Sequence, residues 1–425
     1  MSAAPLPLSL LPMTASIGST GELLIGGVSL LDLVAEYGTP LFVYDEEHLH
    51  ARCSEAVNAW GSGVAYATKA FLCSEMARLA HGHGMCLDVS TGGEMFVALR
   101  AGVPAGSLIF HGNNKSPQEL AEAVRCGVGR IVVDSFDEIV RLDELTREGP
   151  RQDVSIRVTP GIEAHTHEFV RTGQADSKFG FGLESGQAGD AVTAVVSCSG
   201  LNLVGIHCHI GSQIFSTGSF SRALEVMAPF FVPLGLEELC LGGGLGVAYV
   251  EGEEAPTITE WAEVVRASAA GAGIPGEVRI TAEPGRAIVA QAAITLYTVG
   301  TVKEIPGIRT YVAVDGGMSD NPRPVLYGSG YEVFLPREAE AERPRVADLV
   351  GKHCESGDFI VKDASVPADI RVGDVLATPV SGAYGYSMAS NYNKVGRPPV
   401  IFVADGQARL VVRREGYDDL VRLDA

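Results

Sequence analysis

The stretch Val64-Ala65-Tyr66-Ala67-Thr68-Lys69-Ala70 sets how the rest of the chain is read. Val64 to Ala67 is a short apolar run of the kind a buried β-strand makes, and a lysine stands just past its end. A lysine at the dry mouth of a pocket loses solvation, which lowers its pKa and leaves a nucleophilic amine. Such an amine condenses with a carbonyl to a Schiff base. A lone lysine at a strand end is also what an ordinary surface turn looks like, so the neighbouring stretches must decide.

From this strand onward, apolar runs alternate with helical patterns. Candidate strands fall at 64–68, 85–89, 107–111, 130–134, 154–158, 203–209, 238–241 and 278–283, and candidate helices at 74–81, 93–101, 117–126, 136–147 and 258–270. Eight buried strands alternating with helices predict an α/β fold, a (β/α)8 TIM barrel. A doubly wound open sheet is the competitor. The count of eight, and the polar motifs gathered at the strands' C-terminal ends, favour the barrel.

After about residue 295 the rhythm changes to strand-like runs at 295–303, 310–315, 358–361, 374–378, 400–404 and 407–412, separated by Gly, Pro and Asp turns. The expected organisation is a loosely ordered N-terminus over 1–20, a segment at 21–40 that joins the β-domain, a barrel over 41–292, and a C-terminal β-rich domain over 293–425. That last domain, sandwich- or barrel-like, is thereby discontinuous.

Composition narrows the function classes. A chain of 425 residues has room for two or three domains and a large core. The balance of 46% hydrophobic and 20% charged residues is that of a globular protein. The net charge, 32 − 52 = −20, repels nucleic acid and anionic membranes. The N-terminus lacks a signal peptide's basic and apolar regions, and no apolar run approaches a membrane span, so a cytoplasmic location is expected. The 8 cysteines are scattered without a CxxC pair and read as reduced thiols, buried with the exception of Cys354.

Three stretches at the ends of the last strands carry the chemistry. His207-Cys208-His209-Ile210-Gly211-Ser212-Gln213 ends the sixth strand. Alternation puts His207 and His209 on one face, but no Cys, Asp or Glu follows at ligand spacing, so no metal is expected. A satisfied strand-end histidine is the plain reading; an imidazole stacked on a flat ring, with Ser212 donating to an anion, is the sharper one. Gly242-Gly243-Gly244-Leu245-Gly246 follows the seventh strand, where barrels often bind phosphate on exposed backbone N–H groups. Glu283-Pro284-Gly285-Arg286 ends the eighth. A carboxylate there can keep a pyridinium nitrogen protonated, which is what makes pyridoxal phosphate an electron sink. Pyridoxal phosphate is also the usual carbonyl for a Schiff-base lysine. Asp88 is a candidate for support behind the site or for capping the next helix. His111-Gly112-Asn113-Asn114-Lys115 and Arg157 are expected to line the same mouth.

In the β-rich part, Arg323-Pro324-Val325-Leu326-Tyr327, Cys354-Glu355-Ser356-Gly357-Asp358 and Gly382-Ala383-Tyr384-Gly385-Tyr386 are polar, aromatic, glycine-bearing loops. Such loops are usually plain turns. Facing a barrel mouth they would add a carboxylate-binding arginine, a thiol proton donor and an aromatic lid.

Taken together and in order, with Ser177-Lys178-Phe179-Gly180, these motifs resemble the diaminopimelate decarboxylases, pyridoxal-phosphate enzymes of the alanine-racemase-like fold (fold type III). The resemblance implies that Lys69 carries the cofactor, His209 stacks on its ring and Glu283 holds the ring nitrogen. Ser212, Gly242, Gly243, Gly244, Gly285 and Arg286 would hold the phosphate side, and Tyr384 would touch cofactor and substrate. It implies a homodimer in which the loop bearing Cys354 and Glu355 completes the partner's site. The substrate would be meso-diaminopimelate and the product L-lysine, the last step of lysine biosynthesis. Arg286, Arg323 and Tyr327 suit the distal carboxylate, Glu355 the distal ammonium, and Cys354 the protonation of the carbanion. The alternatives are a related decarboxylase acting on ornithine, arginine or carboxynorspermidine, a racemase, or a non-catalytic binding relative.

Overall fold

The structure, a computed structural model, describes residues 5–162 and 177–425. Chain contacts divide it into a barrel unit, residues 53–247 with 255–287, and a β-rich unit made of residues up to 52, 248–254 and 288–425.

The barrel strands are Ala65–Ala67, Cys86–Val89, Leu108–Phe110, Arg130–Val133, Gln152–Thr159, Leu201–Cys208, Glu238–Cys240 and Arg279–Thr281. All neighbours are parallel, and their order in the sheet is their order in the chain. Ala65 N–H donates to the Ala282 carbonyl at 3.0 Å and Ala67 N–H to that of Pro284 at 3.2 Å, which sets the first strand beside the eighth and closes the ring. The expected (β/α)8 architecture is therefore the observed one. Inside, Ala65, Ile109 and Val132 pack together with Cys86. At the strands' N-terminal end, buried Glu238 is ion-paired to Arg130 and, at 2.6 Å, to Arg279.

Local chemistry starts the outer helices. Ser116 and Glu119 form a capping box with Pro117 in the first turn of Pro117–Cys126, and left-handed Gly127 ends that helix. Thr257 and Glu260 do the same for Ile258–Gly271. Trp261 of that helix is fully buried, with its ring centroid 4.6 Å from Trp60 and 5.0 Å from Phe220.

In the β-rich unit the strands run in the order Phe359–Val366, Arg345–Val350, Arg309–Val314, Ala293–Ile305, Leu41–Asp45, Val400–Ala404, Gln407–Val412. Val375–Pro379 pairs beside Ala293–Ile305. The boundary expected at residue 41 shifts. Leu41–Asp45 is buried at every position and lies between Ala293–Ile305 and Val400–Ala404, so residues 41–52 belong with the β-rich unit, as do 288–292. A buried strand needs its backbone groups paired along both edges, and this sheet supplies both partners. The N-terminal stretch expected to be loose is tied down where it is described. Leu6, Leu10 and Leu11 are buried, and Ser16–Ile17 pairs with Leu23–Ile25. Its residues 1–4 lie outside the described residues.

Replacing Trp261 by alanine empties a site walled by two aromatic rings, which costs about 3–5 kcal/mol. Thermal unfolding of the variant should start well below that of the wild type, and an unchanged midpoint would contradict this packing.

Candidate active site

In the barrel unit the polar motifs converge where the strands end. Lys69 sits in the 3-10 turn Thr68–Ala70 directly after the first strand. The turn is anchored: Thr68 Oγ1 donates to the Asp88 carbonyl at 2.8 Å, and Tyr66 Oη to that of Phe71 at 2.6 Å. Thr68 and Ala70 are buried, whereas Lys69 between them is exposed. The expected desolvated lysine is thus corrected. The turn buries its outer two residues and aims the middle one outward.

Glu283 is the centre of charge. It is buried, with Oε1 2.9 Å from His111 Nε2 and Oε2 3.0 Å from His207 Nε2. His111 Nε2 also faces Asp88 Oδ1 at 3.7 Å, and the two imidazoles meet edge to face with centroids 4.9 Å apart. Burial alone would raise the Glu283 pKa, but the two imidazoles overcome it and hold the carboxyl well below its usual range. Burial opposes a charge on His111, yet Asp88 and Glu283 together raise its pKa above the ordinary value. His207, with Glu283 alone to offset burial, falls to about 4 and is neutral. The cluster therefore reads as a carboxylate between one imidazole whose charged form is favoured and one whose neutral form is.

His209 is half-buried at the end of the sixth strand. Burial, then the charge of Lys69, holds it well below the ordinary imidazole range, leaving a neutral ring. The loops after the sixth, seventh and eighth strands are stitched together. Ile214 N–H donates to the Gly244 carbonyl and Gly246 N–H to that of Ile214, both at 2.9 Å, while the Gln213 amide donates to the Val247 carbonyl at 2.7 Å. A Cβ on Gly243 would collide with the Glu283 carbonyl, and one on Gly244 (φ +113°) with that of Gly211. Glycine is required there by the close approach of backbones. A Cβ on Gly242 would stand 2.8 Å from His209 Nδ1. Gly285 has the Ala67 carbonyl 3.0 Å from where its Cβ would be. Arg286, also buried, donates to Ser212 Oγ at 2.9 Å.

Three neighbouring residues have other work. Asp88 is not the helix cap; Thr91 is, accepting from Glu94 N–H at 3.2 Å. Lys115 is buried and committed to Glu138 at 2.8 Å and to the Gly112 and Val132 carbonyls. Arg157 lies 3.9 Å from Asp134 and over the Phe179 ring at 4.4 Å. The contacts of His111 and His207 with Glu283 were missed from sequence. The signal was present, since all three stand at or next to the C-terminal ends of barrel strands, but the partners come from the third, sixth and eighth strands.

The candidate residues of the β-rich unit stand as follows. Arg323 is buried between Tyr249 and Tyr331, 4.2 and 5.4 Å from their ring centres, and donates to Tyr331 Oη. Tyr327 is half-buried, as is Tyr384, which adopts φ +60°. Cys354 and Glu355 are exposed. Their loop is held by Asp358, which accepts from Met318 N–H at 2.6 Å and His353 N–H at 2.9 Å, and by Asn393 Oδ1, which accepts from Cys354 N–H at 3.1 Å.

Comparison with known proteins agrees with this geometry. Residues 46–290 match the family described as pyridoxal-dependent decarboxylase, pyridoxal binding domain. The diaminopimelate decarboxylase of Mycobacterium tuberculosis is 48% identical over 97% of this chain and 97% of its own length, and that of Bacillus subtilis 46% identical over 95% of each. Among solved structures, the diaminopimelate decarboxylase from M. jannaschii superposes with a TM-score of 0.89 at 31% identity, covering 97% of this chain and 98% of that one. A lysine/ornithine decarboxylase from Vibrio vulnificus, at 21% identity and a TM-score of 0.75 over 88% of this chain and 97% of its own, shares the fold. With full-length identity of this order and a barrel rim bearing the expected lysine, carboxylate and glycine loop, the chain belongs to the diaminopimelate decarboxylase family of pyridoxal-dependent decarboxylases.

Proposed function

We infer that this chain decarboxylates meso-diaminopimelate to L-lysine with pyridoxal phosphate as cofactor. The observation that carries the reading is the similarity to diaminopimelate decarboxylases, 46–48% identical, that extends through both units and not the barrel alone. A solved M. jannaschii relative, described in co-complex with L-lysine, is matched over 97% of this chain.

The residues present fit the cofactor. The Gly242-Gly243-Gly244 run has no Cβ to hold an anion away from its backbone N–H groups, and Arg286 beside Ser212 adds a guanidinium. Glu283, held in its ionised form, would supply the counter-charge that a protonated ring nitrogen needs. When bound, pyridoxal phosphate draws the electrons of the breaking carbon–carbon bond into its protonated ring.

The proposed roles follow from each side chain's state. Lys69 supplies the amine that holds the cofactor's aldehyde, and its exposure leaves it open to exchange with a substrate amine. Glu283 keeps the ring nitrogen protonated, and neutral His209 offers a flat uncharged face to the ring. Ser212, Gly242, Gly243, Gly244, Gly285 and Arg286 take the phosphate. Arg286, Arg323 and Tyr327 hold the distal carboxylate, Glu355 the distal ammonium, and Tyr384 borders cofactor and substrate. Cys354 gives its proton to the carbon that carbon dioxide leaves, and its exposed thiolate recovers one from water. We assign Cys354 and Glu355 to the partner's site in a head-to-tail homodimer. A cytoplasmic setting is supported by eight free cysteines. Among the described residues no helix is long and apolar enough to cross a membrane.

Purified protein with pyridoxal phosphate should release carbon dioxide and lysine from meso-diaminopimelate, and nothing from ornithine or arginine. Release from ornithine instead would overturn the assignment of the distal site. Cys354→Ala should lower kcat by about 100-fold or more while the bound-cofactor spectrum is kept; unchanged turnover would remove the thiol from the reaction. Mixing Lys69→Ala with Cys354→Ala protein should restore activity above either variant alone, because one site in the mixed dimer is then intact. No restoration would argue against shared sites.

A further inference from the structure

Resting on the decarboxylase reading, we propose that His111 is a positioning residue for Glu283. Its ring, held between Asp88 and Glu283, fixes the orientation in which that carboxylate meets the pyridine nitrogen. The geometry is a three-membered chain across the barrel interior. Asp88 is the next-to-last residue of the second strand, His111 follows the third, and Glu283 comes two residues after the eighth. His111 Nε2 reaches both carboxylates, at 3.7 and 2.9 Å, and its side chain is almost wholly enclosed.

A carboxylate turns about its last bond unless both oxygens are tied. Here His207 hydrogen-bonds Oε2 and His111 lies against Oε1 as an ion pair, each from a different strand, so rotation would break both contacts. The two imidazoles are not equivalent. His207 faces Glu283 alone, while His111 has a second carboxylate at its ring nitrogen. His111 is therefore the cation of the group. It also offsets the cost of enclosing Asp88 and Glu283 near each other, a like-charge arrangement that would otherwise drive one of them to take up a proton. Lys69, Glu94 and Arg157 are the other charged groups that act on this chain.

Losing such a positioning contact should reduce turnover through Glu283 rather than through substrate binding. In holoenzyme, His111→Ala should lower kcat by about 10–100-fold with KM nearly unchanged, and should shift the bound-cofactor absorbance towards the form unprotonated at the ring nitrogen. His111→Gln, which keeps a donor at the same reach without the charge, should fall between wild type and alanine in both readouts. If the alanine variant does not fold, the glutamine variant decides alone. In cofactor-free protein, the His111 ring nitrogens should show an imidazolium by NMR at neutral pH, and Glu283→Gln should return them to the neutral form. Wild-type spectra and kcat in both variants, or a His111 signal indifferent to Glu283→Gln, would overturn the proposal. Failure of the wild type to decarboxylate meso-diaminopimelate would instead overturn the functional reading and leave the cofactor spectrum and NMR to decide this one.

Discussion

A parallel sheet covered by helices has no tolerable open edge, because unpaired backbone groups there would be buried without water. The bonds from Ala65 and Ala67 to the carbonyls of Ala282 and Pro284 remove that edge. Much else follows from this closure. It brings the first and eighth strands together although about half the chain separates them. Lys69 and the Glu283-Pro284-Gly285-Arg286 stretch thereby become neighbours. The contact between Gly285 and Ala67 is tight enough that a side chain at Gly285 would press on the strand carrying the lysine.

Closure also concentrates charge. Asp88, His111, His207 and Glu283 are enclosed in one ring interior, where each isolated ion would be strongly penalised. The group is tolerable because the His111 ring lies between the carboxylates of Asp88 and Glu283, and His207 stays neutral against Glu283. A carboxylate in that company stays ionised in an apolar barrel, which solvent exposure would otherwise have to ensure. The same economy appears at the opposite end of the strands, where Glu238 lies between Arg130 and Arg279. The difference lies in mobility of the charge. Arginines cannot give up their protons at ordinary pH, whereas imidazoles can.

Much of this was legible in the residues, and the exceptions share a physical cause. Strand periodicity and the polar residues after each strand were local signals, and they located Lys69, His209, the triple glycine and Glu283. The strand Arg345–Val350 was not seen, because Asp348 interrupts its apolar pattern; the buried carboxylate is matched by Arg309 from the neighbouring strand. Leu41–Asp45 looked like part of the barrel because a doubly buried strand reads alike in any sheet. The pairing of Glu283 with His111 and His207 and the exposure of Lys69 depend on what closure places opposite each group. Sequence distance hides such partners. Similarly, Arg323 was recognised as a cation, but its enclosure by Tyr249 and Tyr331 was not.

The placement of Leu41–Asp45 has a consequence for how the protein is made. This strand precedes the barrel in the chain, yet both of its neighbours, Ala293–Ile305 and Val400–Ala404, follow the barrel. Until those segments are made, Leu41–Asp45 waits with both backbone edges unpaired. Chains released prematurely would keep those edges and offer them to other proteins as a template. The β-rich unit is thus a late closure: it is sealed only by strands made after the barrel that it brackets.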